Sequence, residues 1–264
     1  MHYGAREHGM AAAMNGMALH KGLIPYAGTF LVFTDYSRPA IRLDALMGQQ
    51  VIHVMPHDSI CLGEDRPTHQ PVEHLASLRA MPGLLTFRPA DAVEVGECWE
   101  LALGYRDGPS VIALSRHPVA LVRREGDDEN RSAKGGYILA NASGEPDVLI
   151  IATGAEVGLA CQAREQLEAE GIKTRVISMP CVELFEMQSA EWQKQTLGEA
   201  PIRIAVEAGM RMGWDRYIGR DGSFIGMSGF GASAPADVLF EQFGITTSAI
   251  VTEAQDRLKL MGVA

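Results

Sequence analysis

Short apolar, β-branched runs recur along this chain, and a segment of helical period follows most of them. "GTFLVF" (28–33) reads as a strand and precedes an amphipathic segment near 37–47. "QVIHVM" (50–55) precedes a helix near 70–80, "LLTFRP" (84–89) precedes one near 91–105, and "SVIALS" (110–115) closes the series. Strands that are apolar throughout, alternating with helices, belong to a parallel sheet covered on both faces. The expected fold is therefore α/β, with a doubly wound, mostly parallel sheet.

From 119 to 136 the pattern stops: "VALVRREGDDENRSAKGG" is charged and Gly-containing, as an interdomain linker would be. The alternation then resumes with "DVLIIAT" (147–153), the helix-period stretch "GAEVGLACQAREQLEAEG", "KTRVISM" (173–179), "IRIAVEA" (202–208) and a terminal "SAIVTEAQDRLKLMG". The expected division is a first domain over 1–120, a linker over 121–136 and a smaller α/β domain over 137–264. A helix near 6–20 comes first with no strand before it, whereas a doubly wound unit crosses over from a preceding strand. The first domain is accordingly expected to begin part-way through its fold.

At 264 residues, 47% hydrophobic and 21% charged, the chain is long and apolar enough for two folded domains. Its net charge of -10 and its lack of any basic cluster beyond "RR" argue against nucleic acid. No apolar run approaches the roughly 18 residues of a membrane span, and the N-terminus lacks a secretory layout. A cytoplasmic chain that touches no membrane is expected. Cys61, Cys98, Cys161 and Cys181 are scattered, which suggests reduced thiols and no metal site.

Chemistry concentrates at the strand ends, where ligands of open α/β sheets bind. "MPHDSICLGEDRPTHQ" (55–70) can turn His57, Asp58, Glu64, Asp65 and His69 toward one crevice, or it can be a solvated loop that caps the next helix. Glu7 and His8 open a helix, where a carboxylate gains from the helix N-terminus whether or not it has a further role. Phe30, Phe33 and Tyr36 suit core packing, or the sandwiching of a flat heteroaromatic ring. Arg116, just past "VIALS", is a surface arginine or a phosphate ligand. "GMSGFGASAP" (226–235) lacks the spacing of a dinucleotide fingerprint and reads as a helix-entry loop.

Taken in order, "HYGAREHGM", "GTFLVFTDY", "HDSICLGEDRPTHQPVEHL" and "ALSRHP" resemble the pyrimidine-binding domain of transketolases. "ATGAEV", "VEAGMRMGW" and "GFGASAP…LFEQFGIT" resemble the family's C-terminal domain. The resemblance implies transfer of a two-carbon ketol unit between ketose and aldose phosphates, as in pentose phosphate metabolism, with thiamine diphosphate. It implies that Glu7 hydrogen-bonds the cofactor's pyrimidine, favouring the imino tautomer that deprotonates the thiazolium carbon. Phe30, Phe33 and Tyr36 would surround that ring. His69 and Asp65 would read sugar hydroxyls, and His57 and Arg116 would bind the phosphate. The catalytic residues so implied are Glu7 and His69.

In the family a Gly-Asp-Gly…Asn motif in an N-terminal domain holds the diphosphate with Mg2+ or another divalent cation, and this chain has no such motif. The family also has Gly where this chain has Arg66. A C-terminal portion of a transketolase is therefore expected, inactive by itself and needing an N-terminal half or a full-length subunit in a dimer. Two other readings stay open. One is a β-like subunit of a 2-oxoacid dehydrogenase or deoxyxylulose-phosphate synthase, and the other is a non-catalytic, dimerising α/β module.

Overall fold

Neighbouring residues on the first sheet's central strand bury into opposite layers. Val111 packs with Leu31, Ile41 and Met55, while Ile112 packs with Ile52, Leu85 and Phe87. Side chains alternate across a strand, so a strand apolar at every position needs cover on both faces. The computed structural model, which describes residues 1–123 and 129–262, shows that cover. The first unit comprises α1 (Glu7–His20), β1 (Tyr26–Gly28), α2 (Thr34–Met47), β2 (Ile52–Pro56), α3 (His74–Arg79), β3 (Leu85–Phe87), α4 (Ala92–Gly104) and β4 (Ser110–Leu114). Its strands are all parallel, in the order β1-β2-β4-β3.

The second unit holds β5 (Tyr137–Ala140), β6 (Val148–Ala152), α5 (Glu156–Ala169), β7 (Thr174–Ser178), α6 (Val182–Glu186), α7 (Ala190–Leu197), β8 (Ile202–Met210), α8 (Asp215–Ile218), β9 (Ser223–Met227), α9 (Ala236–Gln242) and α10 (Thr247–Leu260). Its sheet runs β5-β7-β6-β8-β9, parallel except for the edge strand β5. Both halves are thus α/β with mostly parallel sheets, as the alternation predicts.

One predicted strand is wrong in its extent. Residues 28–33 do not form a strand: β1 ends at Gly28, and Leu31–Phe33 is a 3-10 turn leading directly into α2 at Thr34. A Cβ at position 28 would lie 2.9 Å from the Val54 carbonyl oxygen, so the chain hugs β2 there before it leaves the sheet. A short apolar run does not distinguish strand from helix entry. Here it places Leu31 in the core and leaves Phe30 and Phe33 half-exposed. The predicted helix near 70–80 also starts late, at His74, after a turn at Pro67–His69. The linker falls partly on residues 124–128, outside the described residues. Its described flanks are held by α4: Asp91 accepts from the Val122 and Arg123 amides, and Glu97 accepts from those of Arg131 and Ser132.

The two units meet across buried charge. The Arg88 side chain, after β3, is fully buried and donates to Asp58 (2.9 Å) after β2, to Glu156 at the start of α5, and to the Thr153 carbonyl (3.0 Å) after β6. Glu207 on β8 stands 3.8 Å from it and takes a two-pronged ion pair from Arg79 on α3 at 2.8 and 2.9 Å. Burial opposes the Arg88 charge, but Glu156, Asp58 and Glu207 outweigh it and raise the pKa above the ordinary arginine value. Replacing the guanidinium by a neutral chain leaves buried carboxylates unpaired. Arg88→Met is expected to cost about 3–5 kcal/mol of unfolding free energy, read from chemical denaturation.

Candidate active site

β1, β2 and β4 are parallel neighbours, so the segments leaving their carboxyl ends emerge along one edge. Phe30 and Phe33 follow β1, His57 follows β2 and Arg116 follows β4. Phe30 and Phe33 lie nearly parallel, 8° apart with centroids 5.8 Å apart. His57 stacks on Phe30 at 3.7 Å, His69 meets Phe33 edge-on at 5.5 Å, and Tyr36 extends the row 5.8 Å from Phe33. Tyr36 is 64% exposed, and the whole row is an aromatic platform open on one side.

Charge gathers around His57. Burial first, then the Arg116 guanidinium, pushes the imidazole pKa below its ordinary value. Asp65 and Asp58 oppose this, and His117 adds to it. Among the described residues the buried His57 Nδ1 has no hydrogen-bond partner. Arg116 is fixed by donating to the Leu62 carbonyl at 3.0 Å. Beside it a cavity of about 480 Å³ opens between the two units, lined by Glu64, Arg116 and His117 and, from α9 of the second unit, Asp237 and Phe240.

Seven of the eight sequence candidates thus share one neighbourhood: Phe30, Phe33, Tyr36, His57, Asp65, His69 and Arg116. Glu7 opens α1 and is half-buried, and among the described residues its side chain makes no hydrogen bond or ion pair. Sequence reasoning did not single out His117, Asp58 as a partner of Arg88, or Gln70. The imidazole and the amide stand beside residues it did choose, while the Asp58–Arg88 pair has no local signal.

Asp35, Glu73 and His74 each bring one ligand atom within 4.8 Å of the others. Asp35 faces Nε2 of His74 at 3.2 Å and Glu73 faces Nδ1 at 3.8 Å, on opposite sides of the ring. That arrangement flanks the imidazole with two carboxylates.

Profiles of known families match both halves: the transketolase pyrimidine-binding domain over residues 1–120 and the transketolase-like C-terminal domain over 135–246. The transketolase of Sinorhizobium medicae is 60% identical over 260 residues, covering 98% of this chain and 37% of that protein. The chain belongs to the transketolase family. The solved transketolase from Leishmania mexicana superposes with a TM-score of 0.90 at 41% identity, over 96% of this chain and 37% of that one. A split-gene transketolase solved as an inactive β4 tetramer matches at 25% identity with a TM-score of 0.82, over 97% of this chain and 83% of that one. The chain therefore spans about two-fifths of the length of the curated transketolases it matches, and corresponds to their pyrimidine-binding and C-terminal domains.

Arg66, where the resemblance read from the sequence expects Gly, has φ 83° and ψ 154°. That backbone region is essentially restricted to glycine and costs a side-chain-bearing residue about 1–3 kcal/mol. Arg66→Gly removes this strain but adds roughly 0.5–1 kcal/mol of unfolded-chain entropy. A net gain of about 1 kcal/mol in denaturation free energy is expected, and none for Arg66→Ala, which keeps the Cβ. Since Arg116 lowers the His57 pKa, Arg116→Met should move the His57 midpoint in an NMR pH titration upward, toward the ordinary value of about 6.5.

Proposed function

We propose that this chain supplies the pyrimidine-binding and sugar-phosphate-binding half of a transketolase. Completed by a diphosphate-binding half, it would transfer a two-carbon ketol unit from a ketose phosphate to an aldose phosphate. The observation that carries this reading is the half-open aromatic platform of Phe30, Phe33 and Tyr36, ringed by His57, His69, Asp65 and Arg116. In this reading residues 1–120 form the cofactor and substrate domain, 121–136 the linker and 137–264 the C-terminal domain.

The residues present fit thiamine diphosphate. An aminopyrimidine stacks on exposed aromatic faces, and Glu7, a carboxylate without a hydrogen-bond or ion-pair partner among the described residues, suits a ring-nitrogen hydrogen bond. When bound, the cofactor supplies the carbanion-stabilising chemistry, and the protein binds and orients around it. Phe30, Phe33 and Tyr36 shield the ring from water, while Glu7 fixes its protonation pattern. Asp65 and His69 read the sugar's hydroxyls and carbonyl end. His57 and Arg116 take the phosphate, with the guanidinium offering paired donors and His57 its buried, unpaired Nδ1. The diphosphate and a divalent cation would be held by the other half, from a separate chain or a full-length subunit in a dimer, in the cytoplasm.

The split-gene relative supports this division of labour, because a transketolase chain of almost this extent was solved as an inactive assembly. Purified alone, this chain is expected to give no ketol transfer from xylulose 5-phosphate and to bind thiamine diphosphate weakly. Adding the N-terminal half of a related transketolase should restore transfer, and Glu7→Ala should then lower kcat by roughly 10²-fold or more. Transfer by the unassisted chain would refute the division. A complemented enzyme that prefers pyruvate would point to a 2-oxoacid enzyme. Activity indifferent to both Glu7→Ala and His69→Ala would point to a non-catalytic module.

A further inference from the structure

The loop that bears Asp65 and His69 hangs from the second unit more than from its own. Its two shoulders, Ile60 and Val72, are buried in the hydrophobic core built on β6, β8 and α5. The Val72 carbonyl also accepts from the Met210 amide at the end of β8 (3.2 Å).

Between those shoulders Gln70, 3% exposed, closes the loop on itself. Its Nε2 donates to the Gly63 carbonyl at 2.9 Å, joining the loop's two ends, and to the Ala232 carbonyl at 2.9 Å, in the "GFGASAP" segment of the second unit. Both partners are carbonyls, so only the amide NH2 can serve both. Ala232 reaches Gln70 because its neighbour has no side chain. A Cβ on Gly231 would sit 1.8 Å from Gln70 Oε1 and 3.1 Å from Ile60 Cγ2. Gly63 takes a positive φ of 81°, which favours glycine, while a Cβ there would meet the Ala236 backbone at an ordinary contact distance of 3.5 Å.

We propose that Gln70 and Gly231 are positioning residues through which the C-terminal domain sets the geometry of the substrate loop, giving the "GFGASAP" segment a role in sugar recognition. Gln70 adjoins His69, so a shift of the amide is passed directly to the group expected to read the sugar's carbonyl end. The rings of Phe30, Phe33 and Tyr36 are carried by β1 and α2, and they meet the clamped loop through His69, edge-on to Phe33. The proposal rests on the transketolase reading for its substrate, while the clamp itself is a property of the chain.

The test uses Gly231→Ala, Gln70→Ala and the pair together, in the full chain and after complementation with an N-terminal half. Gly231→Ala should speed amide exchange across residues 63–69 and raise the KM for xylulose 5-phosphate roughly tenfold or more. Thiamine diphosphate affinity should change far less, staying within about twofold, because the platform's rings are carried by β1 and α2 and only the edge contact of His69 on Phe33 links them to the loop. Shortening Gln70 removes the obstacle that a new Cβ meets, so the double variant should suffer less than the product of the two single effects. Unchanged exchange and KM in both single variants would overturn the proposal, as would strictly multiplicative effects or an equal loss of cofactor affinity. If Gly231→Ala does not fold, Gln70→Ala carries the same readouts. If the complemented wild type transfers nothing, the functional reading fails, while the exchange data on the chain still decide the clamp.

Discussion

Arg88 is a fully buried guanidinium held between carboxylates of two different sheets, and the relation of the two domains depends on it. A buried arginine is costly unless all sides are satisfied, and here the satisfaction comes from Asp58 in the first unit and from Glu156 and the Thr153 carbonyl in the second. Separating the units would strand charge on both, so they behave as one body. Gly154 completes the fit. It takes a positive φ of 63°, and a Cβ there would fall 2.7 Å from the guanidinium carbon. Tyr137 and Ser178 reinforce the seam by donating to buried Glu94 on α4, at 2.7 and 2.5 Å.

Asp58 links that seam to the candidate site. It immediately follows His57, which holds a positive φ of 66° and lies against Phe30. The backbone conformation that turns the imidazole toward the platform is therefore anchored one residue away by an ion pair reaching into the other domain. The resulting field is local. In a chain of net charge -10, Arg116 and His117 stand beside His57 at one strand edge, with Asp65 and Asp58 close by.

The alternation of apolar runs made both sheets legible because burial on two faces leaves no other pattern for a strand. The aromatic and imidazole cluster was legible too, since parallel neighbouring strands deliver whatever follows them to one edge. What could not be read had physical reasons. Leu31–Phe33 is apolar in a way that suits a strand or a helix entry equally, and only its contact geometry decides. β5 and β9 are edge strands, short and partly exposed, and the Gly226 and Met227 of β9 look like the start of a turn. Arg88 carries no signal at all: an arginine after a strand is ordinarily at the surface, and its burial follows from carboxylates 30 residues before it and 68 after it. Glu7 was singled out for its place in a motif, and among the described residues its side chain makes no hydrogen bond or ion pair.

Strain and anchoring coincide along the loop from His57 to Gln70. Three residues there, His57, Gly63 and Arg66, take positive φ, and two of them bear side chains. Such conformations persist only where the surroundings over-determine them. The surroundings here are Asp58 on Arg88 at the loop's start, the Gln70 amide at its end, and Ile60 and Val72 sunk in the second core between and beyond. A loop that had only to cap α3 would not need anchors from two domains. In the proposed reading the loop holds a carboxylate and two imidazoles at fixed spacing against a polyol, and anchors from two domains would set each of those groups before a substrate arrives.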